Sequence, residues 1–294
     1  MKSKLRLAFC LLLVVCSLPG FAQQAASAPP AILQIYRDPV KPSKMAEYSR
    51  IEGEAAQACA RASTWPYITI QSITGPQEVW FISGFDSYAA MEHSAEPFAR
   101  NASLGAELNR LLEAKTNLVT DPRAVYAHYR DDLSSNAGFI PPHTRFFTVT
   151  IATVRPGHER EYEEIHRVLK SARQRAGTAD NRVVYQVVSG MPRNIYLIFS
   201  AYRSLQSAGV ALDPPVDDYT ADVDDSARNR LDDFTRVSAI SSETWMFSVS
   251  PAMSNPAGEW IADDPEFWKS SPPLQHAVPK KPAEAHVERQ PTHN

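Results

Sequence analysis

Apolar and polar positions along this chain follow two periods, two and three-to-four, and the periods succeed one another in the same order twice. Residues 32–37 and 146–154 are β-branched or aromatic runs and predict strands. A Pro-containing turn follows each, then a stretch whose apolar positions recur at helical spacing. These are Met45, Tyr48, Ile51, Ala55 and Cys59 in the first case, and Tyr162, Ile165, Leu169 and Ala172 in the second. A hairpin is predicted next, 67–73 with 79–83 around Gly75-Pro76, and again 183–188 with 195–199 around Gly190-Met191-Pro192. Helical stretches at 104–118 and 227–237 and strands at 125–130 and 245–249 complete the two sets.

The repetition extends to residue identity. Val40-Lys41-Pro42 through Glu47-Tyr48 returns 114 residues on as Val154-Arg155-Pro156 through Glu161-Tyr162. Gln71 to Gly75 answers Gln186 to Gly190 at 115, Val79 to Ile82 answers Ile195 to Ile198 at 116, and Asn109-Arg110-Leu111 answers Asn229-Arg230-Leu231 at 120. An offset that only grows, and grows in loops, is the mark of a duplication followed by small insertions. Each copy reads βαββαβ, the split βαβ unit of ferredoxin-like folds. The expected organisation is a first repeat at 31–133, a linker at 134–144 and a second repeat at 145–250. A C-terminal extension at 251–294 follows, Pro-rich and disordered after about 269.

Ahead of the repeats, Lys2, Lys4 and Arg6 precede an apolar run from Leu7 to Leu18 and a Gly20-Phe21-Ala22 boundary, the order of a cleaved secretory signal peptide at 1–22, with 23–30 as a short N-terminal segment. The apolar run is shorter than the ~20 residues of a spanning helix. The reading is therefore a periplasmic or secreted protein with no membrane span. Of three cysteines only Cys59 lies beyond the leader, so no intrachain disulfide is expected; its place on the apolar side of a helix predicts a buried thiol. Thirty basic against 33 acidic residues, with a pI near 6.3, leave no electrostatic footprint for nucleic acid.

With this repeat order, the chain resembles the dimeric α+β barrel superfamily, whose members include antibiotic-biosynthesis-type monooxygenases, NIPSNAP-like proteins and haem-degrading monooxygenases. The resemblance covers about 32–249 and implies an α+β fold in which the two ferredoxin-like repeats pair their antiparallel sheets into one intrachain barrel. The residues argue the same way: strand positions of both parities are large, as in Tyr67, Ile68, Ile70 and Ile73, so both faces of each sheet must find cover. Residues 131–134 and 259–268 also resemble stretches of exported bacterial proteins. Haem-degrading members use an Asn on the first strand, a Trp on the third and a His on the following helix; Gln34, Trp80 and His93 stand in comparable elements, with the Asn replaced.

No metal, Gly-rich phosphate or nucleophile-elbow motif appears. His158, Glu161, Glu164 and His166 read as a solvated charged face, the acid-rich run 213–233 as an exposed loop entering a helix, and Asn101-Ala-Ser103 as a helix start. No cofactor is expected. The leading reading is an exported protein that binds a small apolar or aromatic molecule, with Gln34 orienting it, Tyr36 and Trp80 stacking on it and His93 the nearest proton-transfer group. The pocket is expected in the first copy, where Ala55 and Cys59 replace Leu169 and Arg173. A cofactor-poor monooxygenase or isomerase on the same scaffold, and a structural or protein-interaction module, are the alternatives. Ligand and oligomeric state are not readable from the sequence.

Overall fold

The structure is a computed structural model describing residues 28–135, 141–176, 181–212, 225–237 and 239–269. The expected leader, the Pro-rich end, the middle of the linker and the first part of the acid-rich run lie outside these residues. The first repeat comprises β1 (Ile32–Pro39), α1 (Met45–Arg61), β2 (Ile68–Ser72), β3 (Glu78–Phe85), the short helices α2 (Tyr88–His93) and α3 (Glu96–Arg100), α4 (Ala102–Lys115) and β4 (Arg123–Tyr129). The second comprises β5 (Phe146–Val154), α5 (Glu159–Ala176), β6 (Arg182–Ser189), β7 (Ile195–Tyr202), α6 (Leu205–Leu212), α7 (Asp225–Val237) and β8 (Ala239–Val249); α8 (Gly258–Asp263) and α9 (Pro265–Lys269) follow. Asn101 is indeed a helix start, its side chain accepting from the Leu104 amide at 3.0 Å. Helices α2 and α3 carry too little apolar periodicity to be predicted; Ser87 caps the first of them through the Ala90 amide. Among the described residues no helix is long and apolar enough to cross a membrane.

The strands close into one antiparallel barrel in the order β1-β3-β2-β8-β5-β7-β6-β4. Within each repeat the order is that of a ferredoxin-like sheet, β4-β1-β3-β2 and β6-β7-β5-β8. The junctions β2–β8 and β4–β6 join the repeats. The two junctions exchange when the repeats exchange, as a pseudo-two-fold arrangement requires. Gly190, at φ 84°, closes the second hairpin where a side chain would strike the Ala124 carbonyl of β4, so glycine is needed at that junction.

Alternation along the strands sends one set of side chains into the barrel. Leu33, Ile35, Trp80, Ile82, Val125, Phe147, Val149, Leu197, Phe199 and Phe247 form a single core with Trp268 of α9. A bidentate ion pair between Arg37 and Glu78 is buried there too, with the guanidinium 4.6 Å from the Trp80 ring. The outer face of each sheet carries its own helices over its own smaller core: Tyr48, Ile51, Val79 and Leu111 in the first repeat, Tyr162, Leu169, Tyr196 and Phe234 in the second.

The pairings correct the repeat alignment in one strand. Asp38 pairs with Val79, and Ala152, which stands 114 residues after Asp38, pairs with Tyr196. Val79 and Tyr196 are therefore equivalent, an offset of 117, where identity had suggested 116. A one-residue slip reverses the face of every side chain in a strand, and Trp80 consequently points into the barrel. His166 is a second correction. It is packed on the Tyr162 ring at 3.9 Å, with its Nδ1 2.9 Å from the Tyr162 carbonyl, and does not share a solvated face with His158 and Glu161.

Two predictions follow from this packing. Since the inner face of each sheet is covered by the other sheet and by α9, both absent from such a fragment, a fragment ending at Ser135 should show no cooperative monomeric thermal transition; a melt close to that of the whole chain would contradict the shared core. Burial, aided by the nearby Arg182 and Arg173 charges, holds the His166 imidazole down at about 4. An unfolded histidine titrates near 6.5, so between those values the unfolded chain holds a proton that the folded one does not, and stability falls as pH drops through the window. Urea denaturation at pH 7 and pH 4.5 should show a loss on the order of 2 kcal/mol, and His166→Gln should flatten it.

Candidate functional site

On the outer face of the first repeat the helices do not close onto the sheet. A cavity of about 820 Å³ remains between β1, β3 and β4 on one side and α1, α2, α3 and α4 on the other. Its floor is set by strand alternation: Gln34, Tyr36 and Asp38 are successive outward residues of β1, opposite Ser83, Phe81 and Val79 of β3. Tyr126 of β4 lies beside Gln34. Tyr67, Phe81, Phe85, Phe98 and Trp65 supply aromatic walls. Trp65 stacks on Phe85 at 5.1 Å and donates from its indole to the Gly84 carbonyl, while Tyr67 meets Phe81 edge-on at 5.9 Å.

The rim residues Thr64, Trp65 and Tyr67 are fixed from the far end of the chain. Asn255 donates to the Thr64 hydroxyl at 3.1 Å and to the Trp65 carbonyl at 3.2 Å, and its backbone forms a two-way bridge with Tyr67.

Polar groups enter the cavity at two places. At one, the Gln34 amide donates to both Tyr36 Oη (3.0 Å) and Tyr126 Oη (2.9 Å). Both phenol oxygens being acceptors there, their own protons are available to an oxygen of a bound molecule. At the other, Lys115 Nζ sits between Asp38 Oδ2 (2.9 Å) and Glu52 Oε1 (2.6 Å), and Tyr48 donates to Asp38 at 2.7 Å. Burial works against the Lys115 charge, but the two carboxylates outweigh it and raise its pKa. Burial raises Glu52 above the usual carboxylate range, with the Lys115 charge opposing and the Asp38 charge adding. Burial likewise lifts the Cys59 thiol, partly offset by the Thr64 and Tyr67 hydroxyls.

The structure brings Gln34 and Tyr36 into the cavity and leaves out the other two sequence candidates. Trp80 is fully buried on the opposite face of the sheet, donating to Glu78 Oε2 at 2.7 Å and packing on Trp245 and Phe247. His93 ends α2 with an exposed ring paired to Glu96 and is not among the cavity-lining residues. Gln34, Trp80 and His93 thus lie on different faces and do not fit the constellation that the haem-degrading resemblance implies. Cys59 lines the cavity, whereas Ala55 packs against the first repeat's outer core.

Asp38, Glu52, Lys115 and Tyr126 were not singled out from the sequence. Glu52 had a signal: Met45, Tyr48, Glu52, Ala55 and Cys59 run at spacings of three and four, so a carboxylate stands within the inward stripe of α1.

The second repeat differs at the corresponding positions. Tyr196 replaces Val79, Leu169 replaces Ala55 and Arg173 replaces Cys59; Tyr162 stacks on Tyr196 at 4.4 Å. At the positions of Gln34, Tyr36, Asp38, Glu52 and Lys115 the second copy has Thr148, Thr150, Ala152, His166 and Thr235.

No protein-family model and no curated protein matches the chain by sequence. Solved structures do match by shape. An anthrone oxidase-like protein has a TM-score of 0.51 at 14% identity, covering 76% of this chain and 93% of its own. A monooxygenase-like protein from Lactobacillus acidophilus has a TM-score of 0.46 at 8% identity, covering 78% and 98%. A mutant chlorite dismutase from Candidatus Nitrospira defluvii has a TM-score of 0.46 at 8% identity, covering 80% and 96%. At such identities the likeness is one of fold, and together with the closed eight-stranded antiparallel sheet it shows that this chain has the dimeric α+β barrel architecture, with both halves in one polypeptide.

Proposed function

We propose that the protein is an exported binder of a small, largely apolar or aromatic molecule, held in the first-repeat cavity. The observation that carries the reading is the asymmetry of the duplication. Two copies of one unit share a barrel, yet five polar cavity positions of the first are all different in the second, and the first copy alone has small side chains at positions 55 and 59 of that helix face. A packed scaffold has no need of that difference. The aromatic walls would cover a ring, and the Tyr36 and Tyr126 hydroxyls, organised by Gln34, would hold an oxygen on it. Export rests on the charged, apolar and small-residue order of residues 1–22.

A second reading, a cofactor-independent oxygenase or isomerase, is favoured by Glu52. A carboxyl raised by burial, inside a cavity that also offers two phenol donors, suits removal of a proton from an acidic carbon while the resulting oxyanion is stabilised. An oxidase-like protein on the same fold supports this reading by analogy alone.

2-Naphthalenemethanol tests the site. It should protect Cys59 from a thiol-alkylating fluorophore, and Ser83→Leu, which places bulk beside Gln34, should weaken its binding by about tenfold or more. Unchanged binding in Ser83→Leu would move the site elsewhere. Ala55→Leu serves as the packing control: added bulk against the outer core should cost about 1 to 3 kcal/mol and lower Tm without weakening the probe. For the catalytic reading, the protein should accelerate solvent deuterium exchange into the acidic carbon of anthrone, and Glu52→Gln should abolish the acceleration while 2-naphthalenemethanol still binds.

A further inference from the structure

We infer that the molecule taken up by the first-repeat cavity is an organic cation, an ammonium carried on an apolar or aromatic body, with Asp38 and Glu52 as its counter-charge. The inference rests on the proposed site and names the ligand class for it. Two carboxylates enter this cavity and one ammonium answers them: Lys115 is the lone cationic side chain lining it among the described residues. Asp38 accepts from both Lys115 and Tyr48. Glu52, by contrast, depends on an ammonium it shares, and burial with Asp38 nearby works against its charge. With both carboxylates ionised, this buried group of two acids and one ammonium is one positive charge short of neutrality, and a buried uncompensated charge is costly; a second cation in the cavity supplies the charge that Lys115 alone does not.

The walls suit the missing charge. Lys115 Nζ already rides 5.6 Å from the Phe81 ring and 5.8 Å from the Tyr48 ring, within range of a cation–π attraction. Tyr36, Trp65 and Phe85 line the same space and offer further ring surface to a second cation. A carboxylate floor beneath aromatic walls is the combination that recognises alkylated ammonium groups. The second repeat lacks the carboxylates: Ala152 and His166 stand where Asp38 and Glu52 do.

Three probes sharing one ring system test the charge: (2-naphthylmethyl)trimethylammonium, 2-naphthalenemethanol and 2-naphthoate. Calorimetric titration of the full mature chain should rank them in that order, with the ammonium about tenfold tighter than the alcohol. Glu52→Gln should bring the ammonium to about the affinity of the alcohol. Glu52→Asp, which keeps the charge, should retain most of the preference and shows that the loss in Glu52→Gln is one of charge and not of folding. If the alcohol or the naphthoate binds as tightly as the ammonium in the wild type, the cation inference is overturned while the site stands. Should none of the three bind or protect Cys59, the site reading falls, and the inference with it.

Discussion

Neither sheet of this molecule can cover itself, and every other feature of the architecture answers that constraint. Helices α1 and α4, or α5 and α7, lie over the outer face of a repeat, leaving Leu33, Ile35, Trp80 and Ile82, or Val149, Leu197 and Phe199, without cover on the inner one. Bringing the inner faces together buries both, and pairing β2 with β8 and β4 with β6 removes the exposed strand edges at the same stroke. The Arg37–Glu78 pair survives inside this core because it is bidentate, flanked by the Trp80 and Trp245 rings, and accepts a further hydrogen bond from the Trp80 indole.

Closure also divides labour between the two sides of each sheet. Inward positions are shared by both repeats, so a change in one is felt by the other. Outward positions face mainly the helices of their own repeat and are freer to diverge. The two copies have used that freedom differently. In the second, Tyr196 and Tyr162 stack on each other over the sheet, and Glu163 binds Arg130 and Tyr196 beside them. In the first, Cys59 lines a cavity, and β1 lays Gln34, Tyr36 and Asp38 along it.

The fold was legible because alternation and helical spacing are local signals and the duplication stated them twice. The site was less so. Gln34 and Tyr36 could be placed because β1 alternates clearly and its offset to β5 is constant. Trp80 was misplaced because Val79-Trp80-Phe81-Ile82 and Ile195-Tyr196-Leu197-Ile198 are large at every position, so identity cannot choose between two registers that differ by one residue and present opposite faces. Lys115 and Tyr126 come from elements far apart in sequence and meet Asp38 and Gln34 only through strand order, which a linear pattern does not encode. Glu52 was hidden by its neighbour: Ile51 satisfies the helical spacing too, and an apolar residue is the natural choice between them.

Asn255 gives the cavity a dependence on time as well as on place. The rim formed by Thr64, Trp65 and Tyr67 hangs on a residue some 190 positions downstream, beyond the last strand of the second repeat. A chain is made, and where exported is delivered, from its N-terminus onward. The first repeat therefore emerges carrying the floor of its cavity but without the residue that fixes its edge. Only when β8 has taken its place beside β2, and the segment after it has turned back across the first repeat, is the rim set. The edge of the cavity is thus set late in the emergence of the chain, and a chain cut short before Asn255 would retain the cavity floor and lose its rim.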